Sequence, residues 1–203
     1  MLSSLRRQIA EEAAMIVWDE GVSDYNRARI KACERLGVGH CRDVPKNVEI
    51  EAALLAWLDL FATSEDRQRL VVMRETALKV MRFFKVFEPR LVGAVLKGTA
   101  SQYSDIKLHL FCDDVEAVAI SMLNQGVRYQ AISRRQTRRQ PEGVPGFSLE
   151  WDNVPVEMLV FPQDGLRAAP LSPVDGKPMK RAAISSVEAL LSEGEVTPDG
   201  TAC

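Results

Sequence analysis

The spacing of the apolar residues changes once along this 203-residue chain, at Pro89, and that change restricts the folds open to it. Before it, Leu5, Ile9, Ala13 and Ile16 recur every three or four residues, which sets them on one face of a helix. Tyr25, Ala28, Ala32 and Leu36 repeat the pattern, as do Ile50, Leu54, Leu58 and Phe61, then Leu70, Met73, Ala77, Met81 and Phe84. Gly21 and Gly37 follow the first two stripes, where a left-handed residue closes a helix. Asn47 and Ser64 stand where the third and fourth helices should begin. Four helices are therefore predicted over residues 1–87.

After Pro89 the period is two, or the apolar runs are short. Arg90 to Lys97 reads as a buried strand. From Asp105 to Phe111, Ile106, Leu108 and Leu110 alternate with Asp105, Lys107 and His109, as on a pleated strand. Asp113 or Asp114 opens a helix that Gly126 ends. Val127 to Ile132, Phe147 to Trp151 and Val154 to Phe161 read as further strands, with Asp152-Asn153 as a two-residue hairpin turn between the last two. Residues 162–182 are rich in proline and glycine and read as an extended excursion. Ser185 with Glu188 has the form of a capping box before a short helix. The expected fold class is α+β: a four-helix N-terminal part packed on a small mixed sheet over 88–192. A disordered acidic tail is expected over 193–203.

Residues 91–111 carry the one motif with chemical content. An apolar segment runs from Leu91 to Lys97 into Gly98-Thr99, and Ser104-Asp105-Ile106-Lys107 opens the next strand. Glu157 lies on a later strand. This pattern resembles the nucleotidyltransferase superfamily, the polymerase-beta-like fold, over roughly residues 88–161. The resemblance implies a nucleotide or RNA phosphate held at Gly98, Thr99 and Ser104, and Lys107 and His109 on the following strand are candidates to hold it with them. It also implies Asp105 and Glu157 as catalytic carboxylates able to hold Mg²⁺, since hard oxygen ligands suit that cation. The Gly-Thr turn would offer free backbone N–H groups to phosphate oxygens.

Lys107 departs from the pattern, which asks for a second aspartate there. An ammonium cannot ligate Mg²⁺, and its charge repels a cation held by Asp105 and Glu157. Lys107 can instead grip a phosphate directly. The expectation is a divergent nucleotidyltransferase-like protein with impaired or non-standard metal-dependent transfer. The alternative is a non-catalytic scaffold presenting an arginine-rich loop or a helical face to a protein or RNA partner. Arg128, Arg134, Arg135, Arg138 and Arg139 lie within twelve residues that contain no acid, and form a candidate phosphate or RNA patch. Lys177, Lys180 and Arg181 would join it if the excursion folds over the sheet.

Overall charge argues against a DNA-binding protein held by bulk electrostatics, because 26 Lys and Arg face 28 Asp and Glu. No apolar run approaches the length of a membrane span. The four cysteines form no C-x-x-C pair, which suits reduced thiols and a cytoplasmic setting. Cys33, His40 and Cys41 match no zinc spacing. The wide apolar faces of the N-terminal helices suggest a homodimer through them.

Overall fold

The computed structural model describes residues 4–39, 43–134 and 143–194. His40, Cys41, Arg135, Arg138, Arg139 and the tail from 195 lie outside the described residues. Helices α1 (Ser4–Glu20), α2 (Tyr25–Arg35), α3 (Asn47–Phe61) and α4 (Ser64–Phe83) precede a short 3₁₀ turn at Lys85–Phe87. Then follow β1 (Arg90–Val92), α5 (Gly93–Lys97), β2 (Ile106–Phe111) and α6 (Val115–Asn124). The chain continues through β3 (Gln130–Arg134), β4 (Val144–Trp151) and β5 (Val154–Phe161), and ends in α7 (Ile184–Gly194). The class is α+β, with a five-stranded mixed sheet in the order β1-β2-β5-β4-β3. Only β2 and β5 run parallel; the other pairs are antiparallel.

Two apolar cores form, and the line between them falls between α3 and α4. Ile9, Ala13 and Ile16 of α1 meet Ala28 and Ala32 of α2 and Ile50, Leu54 and Leu58 of α3. Helix α4, which the sequence reading groups with these three, buries Met73, Ala77, Met81 and Phe84 against the sheet instead. Its partners there include Ile106, Leu108 and Leu110, each fully buried, with Val118 and Met122 of α6 and Val187 of α7. The separation has a simple cause. Ile50, Leu54 and Leu58 of α3 are satisfied by α1 and α2, while Phe61 stays exposed; a sheet with one apolar face needs a helical layer.

Several local readings change. The run Arg90 to Lys97 is strand only to Val92: Gly93 adopts φ 75° and the next residues close one helical turn. A short apolar run does not by itself distinguish strand from buried helix. The third strand begins at Gln130 rather than Val127, because the Val127 N–H is spent on the Met122 carbonyl in closing α6. Lys46 rather than Asn47 holds the cap position of α3, and its N–H donates to the Glu49 carboxylate at 2.5 Å. Asn47 reaches across to the Pro173 carbonyl at 2.8 Å. Helix α4 begins at Ser64 as expected, capped by Thr63 in a reciprocal pair with Asp66. Helix α7 starts at Ile184, so Ser185 sits inside its first turn, and the helix runs on through Glu193 and Gly194 into the expected tail. The Asp152-Asn153 turn has φ of 50° and 63°, both left-handed, as a type I′ hairpin requires.

The excursion after β5 wraps the sheet. Leu91 and Ala182 exchange two backbone hydrogen bonds of 2.9 Å, which closes the free edge of β1. No helix of the described residues is long and apolar enough to cross a membrane.

Candidate functional site

Strand register, not the sequence motif, assembles the polar cluster. The parallel pairing sets Lys107 of β2 opposite Glu157 of β5, and Ser148 of β4 lies opposite Glu157 on the other side. Because pleated residues alternate, this row points away from the face that Ile106 and Leu108 bury under the helices. Asp105 enters from just before β2. Arg134, the last residue of β3, reaches Glu157 and donates to its Oε2 from Nε at 3.0 Å and from Nη2 at 2.7 Å. Four charged groups thus gather near one end of the open face, two of each sign.

Their environments differ. Glu157 is 9% exposed, and its carboxylate is engaged by Arg134. That ion pair holds the Arg134 guanidinium above its ordinary range. Burial lifts the Asp105 carboxyl above the usual carboxylate range, and Glu157 adds to the rise, while Lys107 and Arg134 oppose it. Among the described residues no hydrogen bond or ion pair is made by the Asp105 carboxylate or the Lys107 ammonium, although both are partly buried. The stem of Lys107 lies beside Gly93 at the β1–α5 corner. Two ionic groups held near one another without a direct bond leave coordination capacity for a ligand.

The Gly-Thr turn does not offer the free N–H groups that the motif implies. Gly98, at φ 81°, donates its N–H to the Ala94 carbonyl, and so does Thr99 at 3.0 Å. These two donors close the C-terminus of α5, as glycine after a helix commonly does. Thr99 is itself buried. Ser104 is spent locally too: its Oγ accepts from the Ser101 N–H at 3.0 Å, fixing the turn at 101–104. Lys97, next to the motif, joins the two cores through its 2.5 Å contact with Glu51.

His109 shares the face of Lys107 but lies beneath the excursion. It is 2% exposed, packs against Phe161 with ring centroids 4.5 Å apart, and leaves Nδ1 buried without a hydrogen-bond partner. Arg181 covers this end: its guanidinium sits 5.1 Å over the Phe111 ring and donates to the Gly165 and Leu166 carbonyls, each at 3.0 Å. Burial, with the nearby Arg181 charge, pushes the His109 imidazole down to about 4. Arg181 therefore fastens the excursion to the sheet, and does not extend a phosphate patch. Arg128 lies before β3, and it is Arg134 that enters the site.

A pH effect follows from His109. The unfolded imidazole titrates near 6.5 and the folded one near 4, so the unfolded chain binds the extra proton first. Stability is then full above about pH 6.5 and falls as pH drops toward 4, by on the order of 3 kcal/mol in all. Urea denaturation at several pH values should show this slope in the native sequence and a flatter one in His109→Leu. Equal slopes between pH 6.5 and 4.5 would contradict the assignment.

Among the described residues no group of three or more His, Cys, Asp or Glu side chains is placed to hold a metal ion. Asp105 and Glu157 are the two carboxylates of the cluster, and one is already bonded to a guanidinium. Compared with known proteins, the chain matches no protein-family model and no curated sequence. The cleft residues Gln68, Gln102 and Asn153, described below, carry no signal in the spacing of the sequence. The partnership of Arg134 with Glu157 spans 23 positions and is set by the order of β3, β4 and β5.

Proposed function

We propose that this chain is a divergent nucleotidyltransferase-like protein that binds a nucleotide or RNA phosphate without two-metal transfer. The observation that supports this reading is the register of β2 and β5, which puts the unbonded Lys107 ammonium opposite Glu157 while Arg134 takes up that carboxylate. A site of this kind offers a phosphate the unbonded Lys107 ammonium at a partly buried location, where charge-assisted bonds are stronger than in open water. Lys107 supplies a point charge, and Arg134 the N–H groups that Glu157 leaves free. Asp105, unbonded and shifted toward its protonated form, supplies a proton donor or acceptor next to the bound oxygen. Mg²⁺ fits this set poorly, because the Lys107 charge opposes it and Arg134 occupies Glu157.

Isothermal titration with the four nucleoside triphosphates, with and without Mg²⁺, tests the proposal. Binding is expected in both conditions. Lys107→Ala should weaken it at least about tenfold, since a hydrogen bond to a charged group contributes roughly 1.5–3 kcal/mol. Failure of all four nucleotides to bind in either condition would overturn the reading, and strict dependence on Mg²⁺ would return the site to metal chemistry.

A second reading, a scaffold that binds a protein partner or a second copy, has its support in α3. Leu55, Leu60 and Phe61 are 44%, 74% and 60% exposed on a helix with few charges. Sedimentation of the native chain beside Leu60→Glu separates the two readings.

A further inference from the structure

A second concavity lies at the end of the sheet where β2 and β5 begin. It is bounded by the N-terminal half of α4, the turn at 101–104 and the tip of the β4–β5 hairpin, and encloses about 480 Å³. That volume is in the range of small-molecule pockets. Its walls include Val72, Met73, Val154 and Pro155, and Val72 is 41% exposed there. Charge is balanced within it. Glu65 and Arg69 are its two ionisable residues, and Arg69 is held by Asp66 at 2.7 Å. The cleft therefore has no unspent cation to attract a phosphate.

Three residues with side-chain amides line it from three elements, each of them exposed: Gln68 from α4, Gln102 from the turn and Asn153 from the hairpin. No hydrogen bond within the described residues occupies any of them. Each carries one acceptor and two donors, so each matches a mixed donor–acceptor edge. Their backbones are fixed beforehand. The left-handed φ of 63° at Asn153 belongs to the rigid hairpin turn, and Ser104 ties the 101–104 turn through its N–H and its Oγ. A rigid frame reduces the ordering cost of binding.

We propose that this cleft binds an uncharged planar heterocycle or carboxamide, laid against Val72, Met73 and Pro155 and read at its edge by Gln68, Gln102 and Asn153. The apolar walls suit a flat ring, the amides suit alternating donors and acceptors, and the charge balance selects against anions. Neither Lys107 nor Arg134 lines this cleft, which meets the charged cluster only at Ser104, next to Asp105.

The test is a ¹H–¹⁵N correlation titration of the full chain with nicotinamide and with cytosine, and with benzoate as an anionic ring of similar size. Shifts are expected at Gln102, Ser104 and Asn153 with dissociation constants on the order of 1 mM, as suits ligands of so few atoms. Val72→Trp, which fills the cleft from an exposed position, and Gln102→Leu should each weaken binding at least about fivefold while keeping a dispersed native spectrum. Gln102→Leu carries the test alone if Val72→Trp does not fold. Three results overturn the proposal: no shifts at the cleft with either neutral probe, equal binding of benzoate, or full binding by Gln102→Leu.

Discussion

Replacing Phe84 with alanine is expected to lower the stability of the sheet-bearing core by about 3–5 kcal/mol. Phe84 is fully buried just after the end of α4. Its ring meets Phe83 edge-on at 4.8 Å and Phe87 at 6.4 Å. Removing it deletes the transfer energy of the ring and leaves a space that helix and sheet cannot both close. Domains of this size hold roughly 5–15 kcal/mol in total, so much of the margin disappears. The tryptophans allow the loss to be located. Trp18 and Trp57 lie together at 5.9 Å beside the core of α1–α3, whereas Trp151 packs on Phe83 at 4.9 Å. Urea titration followed through Trp151, in a variant with Trp18 and Trp57 changed to phenylalanine, should show the midpoint fall. A midpoint within experimental error of the parent would contradict the packing described.

Gly146→Ala should be nearly as damaging, through crowding instead of a void. Gly146 lies in β4 between β3 and β5, opposite Ile132 and Leu159. A Cβ at this position would stand 2.2 Å from the Met158 carbonyl oxygen and 2.9 Å from Leu159 Cδ2. The first of these is backbone, so relief requires β4 to move away from β5 and breaks the ladder that carries Glu157. The expected loss is about 2–3 kcal/mol, with a parallel loss of the proposed nucleotide binding because Ser148 and Glu157 shift with the strands. Gly39→Ala is the natural control, since no atom lies within 4 Å of the added carbon. Denaturation midpoints for the pair decide the matter: equal midpoints would show that the close approach of the strands is absent in solution.

The α+β class, the break near Pro89 and the Asp152-Asn153 turn were legible because each rests on local rules of period or backbone conformation. The assignment of α4 was not. Its stripe from Leu70 to Phe84 says only that one face is buried, and a stripe carries no address for its partner. The candidate site was legible in its parts. Asp105, Lys107 and Glu157 come together through the β2–β5 pairing, yet spacing alone does not reveal that Arg134 takes Glu157 or that the N–H groups of Gly98 and Thr99 are used by α5. His109 follows the alternation of its strand and faces the same way as Lys107. What buries it is a segment fifty or more residues downstream, fastened by Arg181. Long-range covering of this kind leaves no trace in the period of the strand it covers.

The bridge between Leu91 and Ala182 has a consequence for the time at which the chain becomes a protein. Strand β2 has as its neighbours β1, already made, and β5, which ends some fifty residues later, while the bond that finishes the β1 edge waits for Ala182. Helices α1 to α3 can pack as soon as they leave the ribosome, since their core uses contacts from their own stretch of chain. The sheet cannot, because its central pairing is parallel and closes a long loop, a slow step in folding. Synthesis therefore exposes the apolar face of α4 and the bare strands through nearly the whole passage of the sheet domain. Ribosome-stalled chains ending before residue 182 would carry a folded helical head and an open, protease-sensitive remainder, and it is the last quarter of the polypeptide that turns the catalogue of strands into a site.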